Sequence, residues 1–296
     1  MRISDTQFSQ MMLQSLQTNN AGLGKVMQQM STGERMTKLS DDPMASIKLL
    51  NLEREDSAIT QYQNNIANVK TILSSQEVYL DSVTDSLQNM RDRILWGANG
   101  TMTTDDRAGI ITELNNLRDS ITSAFNAQDE EGVHLFSGTA TDTPSLDANY
   151  NILGNSDKRV VTVAKGVTME TNITALDVLD LGGGNNILKS IDGLIAEFQA
   201  PTANFQTEVS NTINDLDITA NNVLSAITEM GGRHNNLDLM NSSHTDNKLF
   251  VEKVNDELSA LDYSEASVRL NSFMAALQAT QASYVKIDGL SLFDRI

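Results

Sequence analysis

Three histidines, His134, His234 and His244, are the residues best equipped for metal or proton chemistry, and their spacing serves neither. A zinc hydrolase needs a His-x-x-x-His or His-Glu pair converging on one ion, and the chain holds no such pair. Gly22-Leu-Gly-Lys25 has the look of a phosphate loop but lacks the upstream glycine. Val26 stands where Ser or Thr would hold magnesium, so a helix interruption is the better reading. With no cysteine, the chain has no disulfide, thiolate metal site or thiol nucleophile. Its 39 Asp and Glu residues read as a solvated face rather than as paired acid–base catalysts. Glycosylation-type triplets start at Asn99, Asn172 and Asn241, and such triplets are common by chance. No catalytic, cofactor-binding or metal residue is expected, and no cofactor.

Composition points away from enzymes and towards narrow helical cores. Hydrophobic residues make up 40% of the 296 residues and aromatics only 5%, which suits aliphatic helix bundles. The net charge of −18 argues against a nucleic-acid partner. It is also unevenly placed: residues 1–40 carry +2, residues 265–296 are neutral, and the remaining −20 falls between them. The middle is built for solvent and the ends for contact. No apolar run approaches the ~18 residues of a membrane span, so no membrane insertion is expected. The first twelve residues lack the continuous apolar stretch of a cleaved secretory signal, so export would need another route.

The elements follow from glycine, proline and periodicity. No glycine occurs between Glu34 and Trp96, and Asp41-Asp42-Pro43 reads as a helix start, with aspartate as the cap and proline in the first turn. From His234 to Asp288 there is neither glycine nor proline. Ile59, Tyr62, Ile66, Val69, Leu73, Gln76, Leu80, Val83, Leu87, Met90 and Ile94 step by threes and fours without a slip, a heptad seam with one polar member. Matching runs are Phe8, Met12, Leu16, Asn19, Leu23, Val26 and Met30; Ile213, Leu216, Ala220, Val223, Ile227 and Met230; and Leu270, Phe273, Leu277, Thr280, Tyr284 and Ile287. Past Met230 two readings stay open. Either the seam continues through His234, Leu237, Asn241, His244, Lys248, Val251, Asn255 and Leu258, or the helix rotates to bury Leu239, Leu249 and Val254. A shorter helix is expected over 105–128, and Val161–Met169 reads as a β-hairpin turning at Ala164–Gly166. Gly182–Gly184 reads as a linker back to helix at Asn185.

The expected fold is mainly α with a small β insert: a long antiparallel coiled-coil-like helical rod formed by both chain ends, with a β-rich domain inserted in the middle. Terminal assembly segments are expected at 1–40 and 265–296, a helical core at 41–138 and 185–264, and the insert at 139–184.

Particular stretches resemble the flagellin family. Met30-Ser-Thr-Gly-Glu-Arg-Met36 followed by Ser40-Asp-Asp-Pro43 is similar to the flagellin N-terminal signature. Asn64-Asn-Ile66 through Ala98-Asn-Gly-Thr101 is similar to the first long core helix and the turn after it. Leu261-Asp-Tyr263 with Ala266 resembles the segment leading into the last helix. Gly132-Val-His-Leu-Phe-Ser-Gly138 and the ending Leu290-Ser-Leu-Phe-Asp-Arg-Ile296 resemble the hook–filament junction members rather than filament flagellins.

The resemblance implies a structural subunit and no enzyme. Copies would self-assemble into a ring in the extracellular flagellum, between hook-associated protein 1 and flagellin. Export would run unfolded through the flagellar type III apparatus, guarded by an export chaperone on the C-terminal helix. A filament subunit is the alternative. The candidate assembly residues are Phe8, Met12, Leu16, Leu23, Val26, Met30, Leu270, Phe273, Leu277, Tyr284, Ile287, Leu290, Leu292 and Phe293. Residues 1–44 hold seven of the 13 methionines, whose side chains adapt to irregular partners. They either meet neighbouring subunits or fill a core within the chain.

Overall fold

The computed structural model describes residues 2–98 and 102–293, with side chains, Phe8 apart, for 7–98 and 102–286. In chain order the elements are α1 (Arg2–Thr32), α2 (Pro43–Gly97), α3 (Thr104–Phe125), β1 (Val160–Ala164), β2 (Val167–Glu170), α4 (Ala175–Leu179), β3 (Asp180–Gly182), β4 (Asn185–Asn186), α5 (Ile187–Gln199), α6 (Phe205–Ser259) and α7 (Tyr263–Phe293). The fold is mainly α, with two small antiparallel hairpins. Backbone contacts divide it into two units: unit 1 is 1–58 with 246–296, and unit 2 is 59–245. The division falls inside both long helices, α2 and α6.

Helix starts are where cap chemistry puts them. Asp42 Oδ1 accepts the Ala45 amide at 3.0 Å, which caps α2 just ahead of Pro43. Thr103 and Asp106 form a reciprocal capping box on α3, and the Thr103 hydroxyl and amide hold the Asp106 carboxyl below its ordinary pKa. Asn186 caps α5. Gly182, Gly183 and Gly184 all have positive φ and turn the hairpin between β3 and β4, so the run expected as a linker is a structured turn.

Unit 2 is built on α2 and α6 running antiparallel in fixed register. Gln63 Nε2 donates to Thr245 Oγ1 at 3.2 Å, Lys70 pairs with Asp238 at 2.5 Å, and Arg91 with Asp217 at 3.3 Å. As the α2 number rises from 63 to 70 to 91, its partner falls step for step. Every member of the α2 seam from Ile59 to Ile94 is buried except half-buried Tyr62. Each fully buried Leu or Ile contributes roughly 1.5–3 kcal/mol over an exposed one. On α6 the seam continues past Met230: Leu237 and His244 are buried, whereas Leu239 is 72% exposed. The rotated reading of this segment is excluded.

The β segment has no separate core. Leu135, Phe136, Leu146, Val163, Ile173 and Val178 belong to the same hydrophobic cluster as the helices. Gln76, the polar member of the α2 seam, is fully buried and holds that segment in place. Its Nε2 donates to Leu135 O at 2.8 Å and Ile173 O at 2.9 Å, and its Oε1 accepts the Ile173 amide at 2.9 Å. Arg233, also buried, donates to Glu170 O and Asn172 O and pairs with Glu170 and Glu229.

Gln76→Leu would repair the heptad by its pattern, orphan the Ile173 amide and carbonyl, and leave Leu135 O with only the 3.4 Å contact to Arg159. Because each orphan costs about 1–3 kcal/mol, we expect a loss of roughly 2 kcal/mol or more. Denaturant unfolding checks this: an unchanged midpoint would show that the segment does not depend on Gln76.

Candidate assembly surface

Unit 1 begins with α1 and α7, which pack antiparallel. Gly22 lies against the Phe273 ring so closely that a Cβ there would sit 2.6 Å from it. Further along, Met11, Met12 and Ser15 share a cleft with Ala279, Thr280 and Ser283. At the other end the Tyr263 hydroxyl donates to Met30 O at 3.3 Å. Met12 and Val26 are buried, and Leu16, Leu23, Met30, Leu270, Phe273 and Leu277 are half-buried. Tyr284 is exposed. The side chains of Phe8, Ile287, Leu290, Leu292 and Phe293 lie outside those described. Eight of the fourteen predicted residues, those from Met12 to Met30 on α1 and from Leu270 to Leu277 on α7, are thus wholly or half buried in the chain. The surface left open lies off this seam, where Leu13, Met27, Val268, Met274 and Val285 are exposed, and at the rim of the cleft, where Met11 is.

The loop between α1 and α2 is tied to the turn between α6 and α7. Gly33, with φ +75°, ends α1, and its carbonyl accepts the Leu261 amide at 2.9 Å. The Arg35 amide donates to Ser259 O at 2.8 Å. Gln29, buried on the α1 seam side, donates to Arg35 O. Asp41 organises the rest: it pairs with Lys25 at 2.7 Å and accepts the Thr37 and Lys38 amides at 3.2 Å. The Lys25 ammonium, with those donors behind it, pulls the Asp41 pKa down to about 2. Asp262 Oδ1 accepts the Ser264 amide at 2.8 Å at the start of α7, and Ala266 is buried. The stretches around Gly33 and Tyr263 that resemble flagellins therefore meet in space. Gln29, Asp41 and Tyr263 were not among the predicted residues; only a paired view of both termini exposes their roles.

The histidines are scattered. His134 sits with Gln128 and Asn126 O, at 2.9 and 3.1 Å. His244 Nε2 donates to Val163 O at 2.7 Å, which fixes its tautomer, and its ring stacks on Tyr62. His234 Nε2 is buried with no hydrogen-bond partner among the described residues. No group of three His, Cys, Asp or Glu among the described residues is placed to hold a metal. No helix of the described residues is long and apolar enough to cross a membrane. Asn172 is fully buried and accepts the Arg159 amide, so its triplet is closed to modification.

A solved flagellar hook-associated protein from Vibrio parahaemolyticus is 65% identical, covers 74% of this chain and all of its own, and superposes with a TM-score of 0.72. The chain belongs to the flagellar hook-associated protein 3 family, among the flagellins. The bacterial flagellin N-terminal helical region matches residues 3–141. Flagellar hook-associated protein 3 of Escherichia coli K12 is 27% identical over 99% of both chains. The Legionella pneumophila flagellar hook-associated protein 3 structure, at 15% identity and TM-score 0.64 over 70% of this chain, shares the fold. Membership of this family makes the chain a structural component of the flagellum.

Asp41 supplies a pH test of the loop. A carboxyl whose folded pKa lies below its unfolded value, near 4, stabilises the fold above that value and loses the effect as pH falls through the folded pKa. The protection of the Thr37 and Lys38 amides, taken relative to their intrinsic exchange rates, should therefore fall in the native chain between about pH 4 and 2. Asp41→Asn should exchange faster at neutral pH and converge with the native chain near pH 2. Parallel profiles at all pH values would remove Asp41 as the organiser.

Proposed function

We propose that the chain is the adaptor subunit joining the hook to the flagellin filament, with hook-associated protein 1 on one side and flagellin on the other. The observation that carries this reading is the full-length match to hook-associated protein 3 of Escherichia coli. The Gly132–Gly138 turn supports it: Leu135 and Phe136 are buried between two positive-φ glycines.

Surface physics supports a contact role for unit 1. Of the 23 exposed large apolar side chains among the described residues, 14 lie in unit 1, the smaller unit. Unit 1 carries a net charge of −4 and unit 2 carries −14. Like-charged copies approach most easily where charge is low and apolar surface is exposed. On this reading copies form a ring through unit 1. Segments 1–40 and 265–296 form the inner layer, 41–138 with 185–264 the next, and 139–184 faces outward. The chain has no catalytic role. It acts outside the cell after unfolded export through the flagellar type III apparatus, with an export chaperone holding its C-terminal helix.

Deleting the gene and imaging the cells by electron microscopy tests this. The adaptor reading expects hooks without filaments and flagellin shed into the medium. Bare hooks with no flagellin shed would instead favour a filament subunit, the reading to which the flagellin relatives lend weight, and filaments still seated on hooks would overturn the adaptor reading.

A further inference from the structure

With no cysteine, methionine is the chain's only sulfur, and its 13 thioethers are sharply segregated. Met11 and Met27 are 58% exposed, Met44 70% and Met274 45%, and all four lie in unit 1. In unit 2 Met90 and Met230 are wholly buried in the α2–α6 seam, and Met102, Met169 and Met240 pack against that core. Met11 and Met27 lie on α1, and Met274 on α7. Each is next to a seam residue (Met12, Val26 and Phe273) and exposed: Met27 and Met274 lie off the seam, and Met11 lies at the open rim of the α1–α7 cleft. Apolar surface of this kind resists solvation until a neighbour covers it, and thioethers conform to neighbours of unlike shape.

We propose that Met11, Met27, Met44 and Met274 form an oxidation-sensitive contact set. Their conversion to sulfoxides by a peroxide-class oxidant blocks the unassembled subunit from joining its neighbours. The proposal rests on the contact role assigned to unit 1. In the chemical step a thioether sulfur lone pair attacks one peroxide oxygen. An S–O bond forms, the O–O bond breaks, the sulfur loses two electrons, and the peroxide leaves as water. The product carries a strongly polar S=O group on a chiral sulfur. That group must shed its water to enter an apolar contact, and it finds no donor waiting there. Assembly would cover the same thioethers, so the sensitivity belongs to the free subunit. A sulfoxide reductase would restore the thioether. The buried Met90 and Met230 keep the α2–α6 seam intact, so oxidation at these sites leaves the fold in place.

The test treats the purified full chain with dilute hydrogen peroxide and maps sulfoxides by peptide mass spectrometry. It then measures binding to isolated hooks from cells lacking this subunit, with circular dichroism as the folding control. Met11, Met27, Met44 and Met274 should oxidise well before Met90 and Met230. Binding should fall at least tenfold with helicity unchanged, and methionine sulfoxide reductase should restore it. The fourfold Met→Leu variant should bind hooks and be indifferent to peroxide. Binding by the oxidised native chain at full strength, equal oxidation of buried and exposed sites, or the same peroxide loss in the leucine variant would each overturn the proposal while sparing the contact reading. If the untreated chain joins hooks through unit 2, both fall together.

Discussion

The antiparallel register of α2 against α6 is the constraint on which unit 2 depends. A heptad seam specifies which faces meet, but not which residues along a 55-residue helix lie opposite one another. The polar rungs do that. Gln63–Thr245, Lys70–Asp238 and Arg91–Asp217 agree on one register. The two ion pairs are exposed and individually worth at most about 1 kcal/mol. Their value is that a slip of one heptad would break all of them at once. Gln76 adds a buried check, because its amide meets three backbone groups of the β segment only when α2 is placed correctly.

Unit 1 holds its order differently. Its helices bury fewer residues, and the joints are backbone bridges and a loop centred on Asp41. The Glu34–Ala260 bridge joins the segment after α1 to the segment before α7, and the Lys248–Asp56 pair at 3.8 Å repeats the antiparallel order of α6 and α2. Apolar side chains that a self-sufficient bundle would bury are left outside, from Met11 and Leu13 to Met44, Ile47 and Leu50. Low charge and open apolar surface occur together, and on the proposed function that combination is the face the subunit would offer its neighbours.

Much of this was legible in the sequence because heptad periodicity and cap chemistry are local. The α2 seam, the cap at Asp42, and the hairpin turning at Ala164–Gly166 all follow from spacing and residue type. Long-range pairing was not legible. Nothing near Gln76 names Ile173 as its partner, and nothing near Met30 names Tyr263. The faces of α1 and α7 show the limit most clearly. Their apolar stripes fit a seam within the chain and a surface for other subunits alike, and the α1–α7 pair half-buries them while leaving their flanks open. A stripe announces that it will be covered, but not by which chain. The seam through His234 and His244 was undecided for a related reason. Polar residues sit at core-type positions there, and only the hairpin beside α6 explains His244, whose ring donates to Val163 O.

The central claim is that contacts between copies run through unit 1. Because the chain has no cysteine, one introduced thiol can carry a benzophenone photocrosslinker at a chosen site. Met27→Cys in unit 1 and Leu224→Cys in unit 2 are both at exposed positions. Each labelled chain would be bound to isolated hooks, irradiated, and resolved by mass. The account predicts strong crosslinks to neighbouring subunits from position 27 and few from position 224. Crosslinks chiefly from position 224 would contradict it.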